Sequence, residues 1–202
     1  MKNKAQLRST NVARVANMVH RAHRAERNGH VGGVLWFTGL PSSGKSTLAI
    51  EVEQRLFSAG YQVYVLDGDD LRQGLTADLG FSPEDRVENI RRVGELAALF
   101  AEAGFIVVCA FISPYCADRQ RAREAVIDGF HEIYIKADIE ICERRDVKGL
   151  YRKARAGTVP DFTGVSAPYE PPEICELVID TSYAPISESV EILDAFVRTQ
   201  FP

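Results

Sequence analysis

The chain has 202 residues, 46% of them hydrophobic, which is enough for one domain with a complete core of its own. A formal net charge of −4 excludes general nucleic-acid binding of the kind a basic domain supports, and no apolar run approaches a membrane span or forms a secretory signal. Cys109, Cys116, Cys142 and Cys175 fit neither a Cys-x-x-Cys pair nor a zinc spacing, so a reduced, cytoplasmic compartment is expected.

Residues 1–30 carry seven Lys or Arg and a single acid, Glu26, and read as a basic arm ahead of a domain spanning 31–202. Val12, Val15, Ala16, Val19 and Ala22 recur at helical spacing, which predicts a short helix within the arm. Residues 34–37 are apolar and β-prone, a buried strand. Gly39-Leu40-Pro41-Ser42-Ser43-Gly44-Lys45-Ser46 follows at once and matches G-x-x-x-x-G-K-[ST]; Thr47 then opens a helix whose apolar stripe is Leu48, Val52 and Leu56. Strand, loop and helix in that order are the context the motif requires. Glycines lack Cβ, so the main chain can curl and bring its N–H groups against a phosphate. The helix start adds unpaired N–H groups and a positive dipole end. Lys45 offers a mobile cation to the β and γ phosphates, and Ser46 a hydroxyl to Mg²⁺. The loop is therefore expected to bind ATP or GTP, the bland alternative being a Gly/Ser-rich surface turn.

Residues 61–66 form the second strand, which ends in Asp67-Gly68-Asp69-Asp70. Crowding three carboxylates there is costly unless a cation sits among them, which predicts a Mg²⁺ site beside the phosphate loop. Residues 71–75 are expected to begin a short helix with Arg72 toward the same cleft. Ser82-Pro83-Glu84-Asp85 is a helix start, with a capping hydroxyl, a proline in the first turn and acids suited to the dipole. Val87, Ile90, Val93, Leu96, Ala97 and Phe100 make that helix's apolar stripe; Arg86 and Asn89, three apart, share a face near its beginning. Residues 105–112 are a continuous apolar run, a strand buried on both faces. Ser113 follows it, where open α/β sheets bind ligands. A helix over 118–127, strands over 132–137 and 177–180, and a closing helix over 186–199 complete the pattern. Strands alternate with helices throughout, which predicts an α/β fold with a doubly wound, parallel, five-stranded sheet.

Between the last two strands, Arg144, Arg145, Lys148, Arg152, Lys153 and Arg155 oppose one acid, Asp146. If a single helix continues through Gly149, then Arg144, Lys148, Arg152 and Arg155 share one basic stripe. An irregular stretch with four prolines follows over 157–172. A basic helix followed by a long loop predicts a lid over phosphates, about 144–172; a solvated charged helix is the bland reading.

Together these motifs resemble the adenylylsulfate kinase (APS kinase) family, which phosphorylates adenosine 5′-phosphosulfate (APS) to PAPS. The matching stretches are Trp36-Phe-Thr-Gly-Leu, the phosphate loop, Leu66-Asp-Gly-Asp, Arg72-Gln-Gly-Leu, Gly80-Phe-Ser-Pro-Glu-Asp-Arg-Val-Glu-Asn-Ile-Arg-Arg-Val, Phe111-Ile-Ser-Pro, Cys142-Glu-Arg-Arg-Asp-Val-Lys-Gly-Leu-Tyr-Arg-Lys-Ala-Arg and Phe162-Thr-Gly-Val-Ser-Ala-Pro-Tyr-Glu-Pro-Pro. They run from about Asn28 to the last strand. Many nucleotide-binding families share the phosphate loop; the run from Gly80 and the lid sequence are far more specific. Two departures stand out. Pro41 and Ser42 replace the commoner Ser-Gly of the loop, and Pro41 removes one backbone donor. Asp70 replaces the commoner asparagine of Asp-Gly-Asp-Asn.

The resemblance implies a P-loop kinase core of the nucleoside-monophosphate-kinase type, a homodimer, MgATP as donor and APS as acceptor. It implies that Gly39, Leu40, Pro41, Ser42, Ser43, Gly44, Lys45, Ser46 and Thr47 bind ATP, and that Ser46 and Asp67 hold the metal, directly or through water. Asp69 is then the group that takes or orients the proton of the 3′-hydroxyl. Arg72, Phe81, Arg86, Asn89, Ile112, Ser113, Lys148 and Phe162 bind APS, with Phe81 and Phe162 clasping its adenine. Lys148 lies near the transferring phosphate, with Arg144 and Arg152 as secondary candidates. Ser113 matches a phosphoserine position of the family, although direct in-line transfer from ATP needs no such intermediate. The chain shows no ATP-sulfurylase portion, so APS is expected from a separate chain. Two other readings stay open here. One is a P-loop kinase of a nucleoside or sugar, which gives no reason for the two phenylalanines. The other is a regulatory nucleotide-binding partner without turnover, against which the intact Lys45, Ser46, Asp67 and Asp69 speak. A GTPase switch lacks its guanine-reading Asn-Lys-x-Asp segment.

Overall fold

Strand β1 (Gly33–Thr38) is buried at all six positions, and the other elements pack to cover both of its faces. The structure, a computed structural model, describes residues 18–202. The predicted arm helix therefore lies mostly outside the described residues. What is described of the arm includes α1 (Arg21–Asn28), which ends at Gly29 in the left-handed conformation. α1 hydrogen-bonds to the domain through Arg21 to the Gly32 carbonyl at 2.8 Å and Asn28 to the Gly104 carbonyl at 3.2 Å.

After β1 come α2 (Lys45–Ser58), β2 (Val63–Asp67), the single turn α3 (Gly68–Leu71), α4 (Pro83–Glu102), β3 (Ile106–Ala110), α5 (Cys116–Ala125) and β4 (Phe130–Lys136). The chain then forms α6 (Ile139–Arg144), α7 (Leu150–Arg155), β5 (Leu177–Asp180) and α8 (Ile186–Gln200). The strands make one five-stranded sheet in the order β2-β3-β1-β4-β5, and every pairing is parallel. The doubly wound parallel sheet expected from the alternation of elements is what the chain forms.

Side chains on β1 alternate between two cores, as a period of two requires. Leu35 and Phe37 join Leu48, Val52 and Leu56 of α2 and Leu193 and Val197 of α8. Val34 and Trp36 join Ile90, Val93 and Ala97 of α4 and Ala122 of α5. A third, smaller cluster gathers Cys142, Tyr151, Ala154 and Phe162 beyond the sheet. The carboxyl ends of β1 and β3 open a crevice at the point where the strand order reverses, the place where open α/β sheets bind ligands.

Two local expectations change. The helix predicted to begin at Leu71 begins three residues earlier, because the Asp67 side chain caps α3 by accepting the Asp69 N–H at 2.9 Å; after Leu71 the chain runs through hydrogen-bonded turns instead. The single basic stripe is also not formed. α6 ends at Arg144, Gly149 takes φ 66°, and the Asp146 carboxylate accepts the N–H groups of Leu150 at 2.8 Å and Arg152 at 3.2 Å. A left-handed glycine with a capping acid starts a new helix, so Arg144, Lys148, Arg152 and Arg155 sit on two helices and the turn between them.

Candidate active site

The phosphate loop follows β1 directly. A Cβ on Gly39 would meet the Ile135 carbonyl at 2.3 Å, so only glycine lets the loop fold down onto β4. Ser42 and Gly44 take left-handed φ values of 61° and 99°, which curl the chain into α2. The loop is braced from outside by two hydroxyls. Thr181 donates to the Ser43 carbonyl at 2.8 Å, and Tyr151 of α7 donates to the Pro41 carbonyl at 3.0 Å. Pro41 thus loses a donor but keeps an acceptor that ties the loop to α7.

Lys45 lies under the loop, its ammonium donating to the carbonyls of Gly39 at 3.0 Å and Leu40 at 2.7 Å. Burial pushes its pKa down to about 8. Ser46 donates to Asp67 at 2.6 Å, so a hydroxyl and a carboxylate oxygen converge at the end of β2. Among the described residues no group of three or more His, Cys, Asp or Glu forms a metal cage. The three carboxylates of the Asp67–Asp70 turn therefore do not converge as the sequence led one to expect; the hydroxyl–carboxylate pair of Ser46 and Asp67 is of the kind that suits a hard cation keeping most of its ligands as water and phosphate. Asp69 forms an ion pair with Lys148, and both side chains are exposed. Side-chain hydrogen bonding to Asp69 raises the Lys148 pKa. Asp70 is exposed and does not line the cleft.

A cleft of about 630 Å³ runs from the loop across the crevice. Pro41, Ser42, Gly44, Lys45, Ser46 and Thr47 line it, together with Asp67, Asp69, Arg72, Phe81, Arg86, Asn89, Ile112, Ser113, Lys148 and Phe162. Gly39, Leu40 and Ser43 do not: Gly39 and Ser43 face inward, and Leu40 packs against the third cluster. Neither Arg144 nor Arg152 lines it, and both are exposed. Their neighbour Arg145 does line it.

The far wall is organised by arginines. The Arg72 guanidinium stacks over the Phe81 ring at 4.3 Å and donates to the carbonyls of Leu79 and Gly80. Arg86 donates to the Phe81 carbonyl at 2.9 Å, to Thr163 Oγ1 at 3.0 Å and to the Asp161 carbonyl at 2.6 Å. One side chain therefore joins the start of α4 to the loop that carries Phe162. Phe81 is 62% exposed, whereas Phe162 is buried and meets Tyr151 edge-on. Asn89 is buried, and its Oδ1 has no protein partner among the described residues. Ser113 is buried with φ 39°, and its hydroxyl accepts the Trp36 indole N–H at 3.1 Å.

A family model described as adenylylsulphate kinase matches residues 31–180. The chain belongs to the adenylylsulfate kinase family. An adenylyl-sulfate kinase of Acaryochloris marina is 58% identical over 176 residues, 87% of this chain and 86% of its own. One from Staphylococcus epidermidis is 52% identical over 181 residues, 89% of this chain and 91% of its own. The solved APS kinase of Mycobacterium tuberculosis, in complex with AMPPNP and APS, matches with a TM-score of 0.80 at 42% identity, over 83% of this chain and 98% of its own.

The structure adds residues to this kinase's site that pattern reading passes over. Arg145 donates to Thr181 Oγ1 at 3.2 Å, joining the end of α6 to the chain beyond β5, and Thr181 in turn holds the phosphate loop. Arg145 stood in the sequence as one of several lid cations with nothing to single it out. Thr163 and Trp36 stand in stretches that match the family, but nothing in the sequence showed their contacts, because their partners lie 77 positions away.

Proposed function

We propose that the protein transfers the γ-phosphate of MgATP to the 3′-hydroxyl of APS, giving ADP and PAPS. One observation carries this reading. A single cleft joins the phosphate loop and the Ser46–Asp67 pair to a second wall built from Arg72, Phe81, Arg86, Asn89 and Phe162, with Asp69 and Lys148 between them. The first wall suits a nucleoside triphosphate. The second offers cations for phosphosulfate, an aromatic face for a purine and an open acceptor at Asn89. The similar M. tuberculosis APS kinase was solved in complex with both AMPPNP and APS, which supports a donor nucleotide and APS as the two ligands.

The residues then divide the chemistry as follows. The loop N–H groups and Lys45 hold the triphosphate, and Lys45 leaves the loop carbonyls to reach it. Ser46 and Asp67 would hold Mg²⁺, directly or through water, and the ion would supply charge neutralisation to the triphosphate. Asp69 orients the 3′-hydroxyl for in-line attack and accepts its proton. Lys148 covers Asp69 before substrates arrive; turning toward the transferring phosphoryl group exposes the carboxylate and brings a cation to developing charge. Arg72, Arg86, Asn89, Ile112, Ser113, Phe81 and Phe162 bind APS, and the segment 144–172 closes over both substrates as a lid that excludes water. The Ser113 hydroxyl is buried, which favours direct transfer over a phosphoserine step. The family resemblance extends the proposal to a homodimer working in the cytoplasm on APS made by a separate ATP sulfurylase. Four free cysteines suit a reducing compartment, and no helix among the described residues is long and apolar enough to cross a membrane.

The test is ADP release from MgATP with and without APS, with the product identified by mass. APS-dependent ADP matched one-to-one by PAPS is expected. Nucleotide binding without APS-dependent turnover would refute the assignment.

A further inference from the structure

Arg119 sits on α5 in a part of the chain that the cleft does not touch, yet it is only 1% exposed and every nitrogen of its guanidinium is committed. Nε donates to Glu132 of β4 at 2.6 Å. One terminal nitrogen donates to the Ser113 carbonyl at 2.7 Å. The other donates to the Glu170 carbonyl at 2.9 Å and contacts the Cys116 sulfur at 3.0 Å. The two carbonyls belong to segments far apart in sequence: Ser113 forms the turn after β3 that lines the cleft, and Glu170 lies toward the end of the long loop that carries Phe162, outside the cleft lining. Around the guanidinium the same two segments are tied again, and a further bond joins the loop to the end of β1. The Glu170 N–H donates to the Pro114 carbonyl at 2.9 Å, the Cys116 N–H donates to the Glu170 carboxylate at 2.7 Å, and the Tyr169 hydroxyl meets Thr38 Oγ1 at 3.0 Å.

A buried ion pair contributes little net stability, because desolvation offsets its attraction. What a fixed, planar fork of five donors supplies is geometry. Ser113 needs such support. It is a non-glycine residue at φ 39°, and its hydroxyl must stay within reach of Trp36. We infer that the buried Arg119–Glu132 pair is a positioning device for phosphoryl transfer, holding the Ser113 turn and the returning end of the Phe162 loop in one fixed relation so that the APS side of the cleft keeps its shape. Arg119 touches no reacting atom; it acts through the Ser113 turn and residues 169–170. The phosphate loop has braces of its own in Thr181 and Tyr151, and it meets the clamped segments only indirectly, through Thr38 against Tyr169 and Tyr151 against Phe162. The device therefore acts chiefly on acceptor binding and much less on donor binding. This inference rests on the assignment of APS as acceptor, and wild-type APS-dependent ADP release tests that assignment separately.

The experiment is steady-state kinetics on the full chain carrying Arg119→Met together with Glu132→Met, which removes both charges at once and leaves no unpaired acid. Glu132→Gln provides a milder second variant that keeps the shape. The expected result for the double variant is an APS KM raised about tenfold or more with the ATP KM within about twofold of wild type, and a smaller change of the same kind for Glu132→Gln. Trp36 is the only tryptophan, so a shift in its emission reports directly on the Ser113 hydrogen bond in each folded variant. An unchanged APS KM, or equal rises in both KM values, in either folded variant would overturn the inference. A purely structural ion pair would lower the melting temperature and leave the ratio of the two KM values alone.

Discussion

Replacing Lys148 by alanine separates the chemistry proposed for this side chain from any structural role. The Lys148–Asp69 pair is the ammonium's one polar contact among the described residues, and the two side chains are 64% and 69% exposed. An ion pair this open to water contributes about 0–1 kcal/mol, since solvent screens it and ordering two flexible side chains offsets the gain. For a chain of this length about 1 kcal/mol moves the melting temperature by roughly 2–4 °C. The variant should therefore melt within about 4 °C of wild type. Activity should behave quite differently. A cation aimed at charge that develops in the transition state is worth about 2.7–4 kcal/mol, so kcat should fall by roughly 10²–10³. The assay is coupled ADP release at saturating MgATP over a range of APS, beside a thermal melt of the same preparation. Turnover and APS KM both within about twofold of wild type would refute the reasoning, because the exposed pair would then have no function. A large fall in melting temperature would refute it differently, by showing that the pair carries packing that its exposure does not reveal.

Asp69→Asn should lower kcat by about 10²–10⁴ while MgATP still binds, as expected for loss of a general base; full turnover would assign proton handling to another group. Burial pushes the Lys45 pKa down to about 8, and a triphosphate binds the charged form more tightly than the neutral one. Nucleotide affinity should accordingly be level below about pH 8 and weaken by up to about tenfold per unit above it. A binding curve flat to about pH 10 would show that the proton is retained. The two phenylalanines should part company: Phe81→Ala, at a 62% exposed position, should raise APS KM with little change in melting. Phe162→Ala, 8% exposed and packed on Tyr151, should also cost about 3–5 kcal/mol of stability in denaturant unfolding.

Much of the site was legible because its chemistry is written in short stretches. A phosphate loop needs glycines, a lysine and a hydroxyl within eight positions, and the conformation of those positions is set largely by themselves. The Asp67–Asp69 turn and the Ser82 cap are equally local. The basic segment shows where such reading stops. Spacing alone put Arg144, Lys148, Arg152 and Arg155 on one stripe, but the stripe depended on Gly149 staying helical. The Asp146 carboxylate, capping Leu150 and Arg152, decided otherwise. The resemblance to APS kinases named Phe81 as an adenine contact, but only the fold shows its ring held open to the cleft under Arg72.

The amino-acid order by itself determined the parallel α/β architecture, the nucleotide loop and the family, because alternation of apolar runs and local backbone chemistry act over a few residues at a time. The tertiary structure alone decided which of several arginines does what. Arg86 reaches Thr163, Arg145 reaches Thr181, and Arg119 reaches both Ser113 and Glu170. Every arginine carries the same five donors and the same charge, so nothing in the residue itself distinguishes a solvated one from a buried clamp. That difference arises only when the sheet order brings distant segments together and removes the water between them.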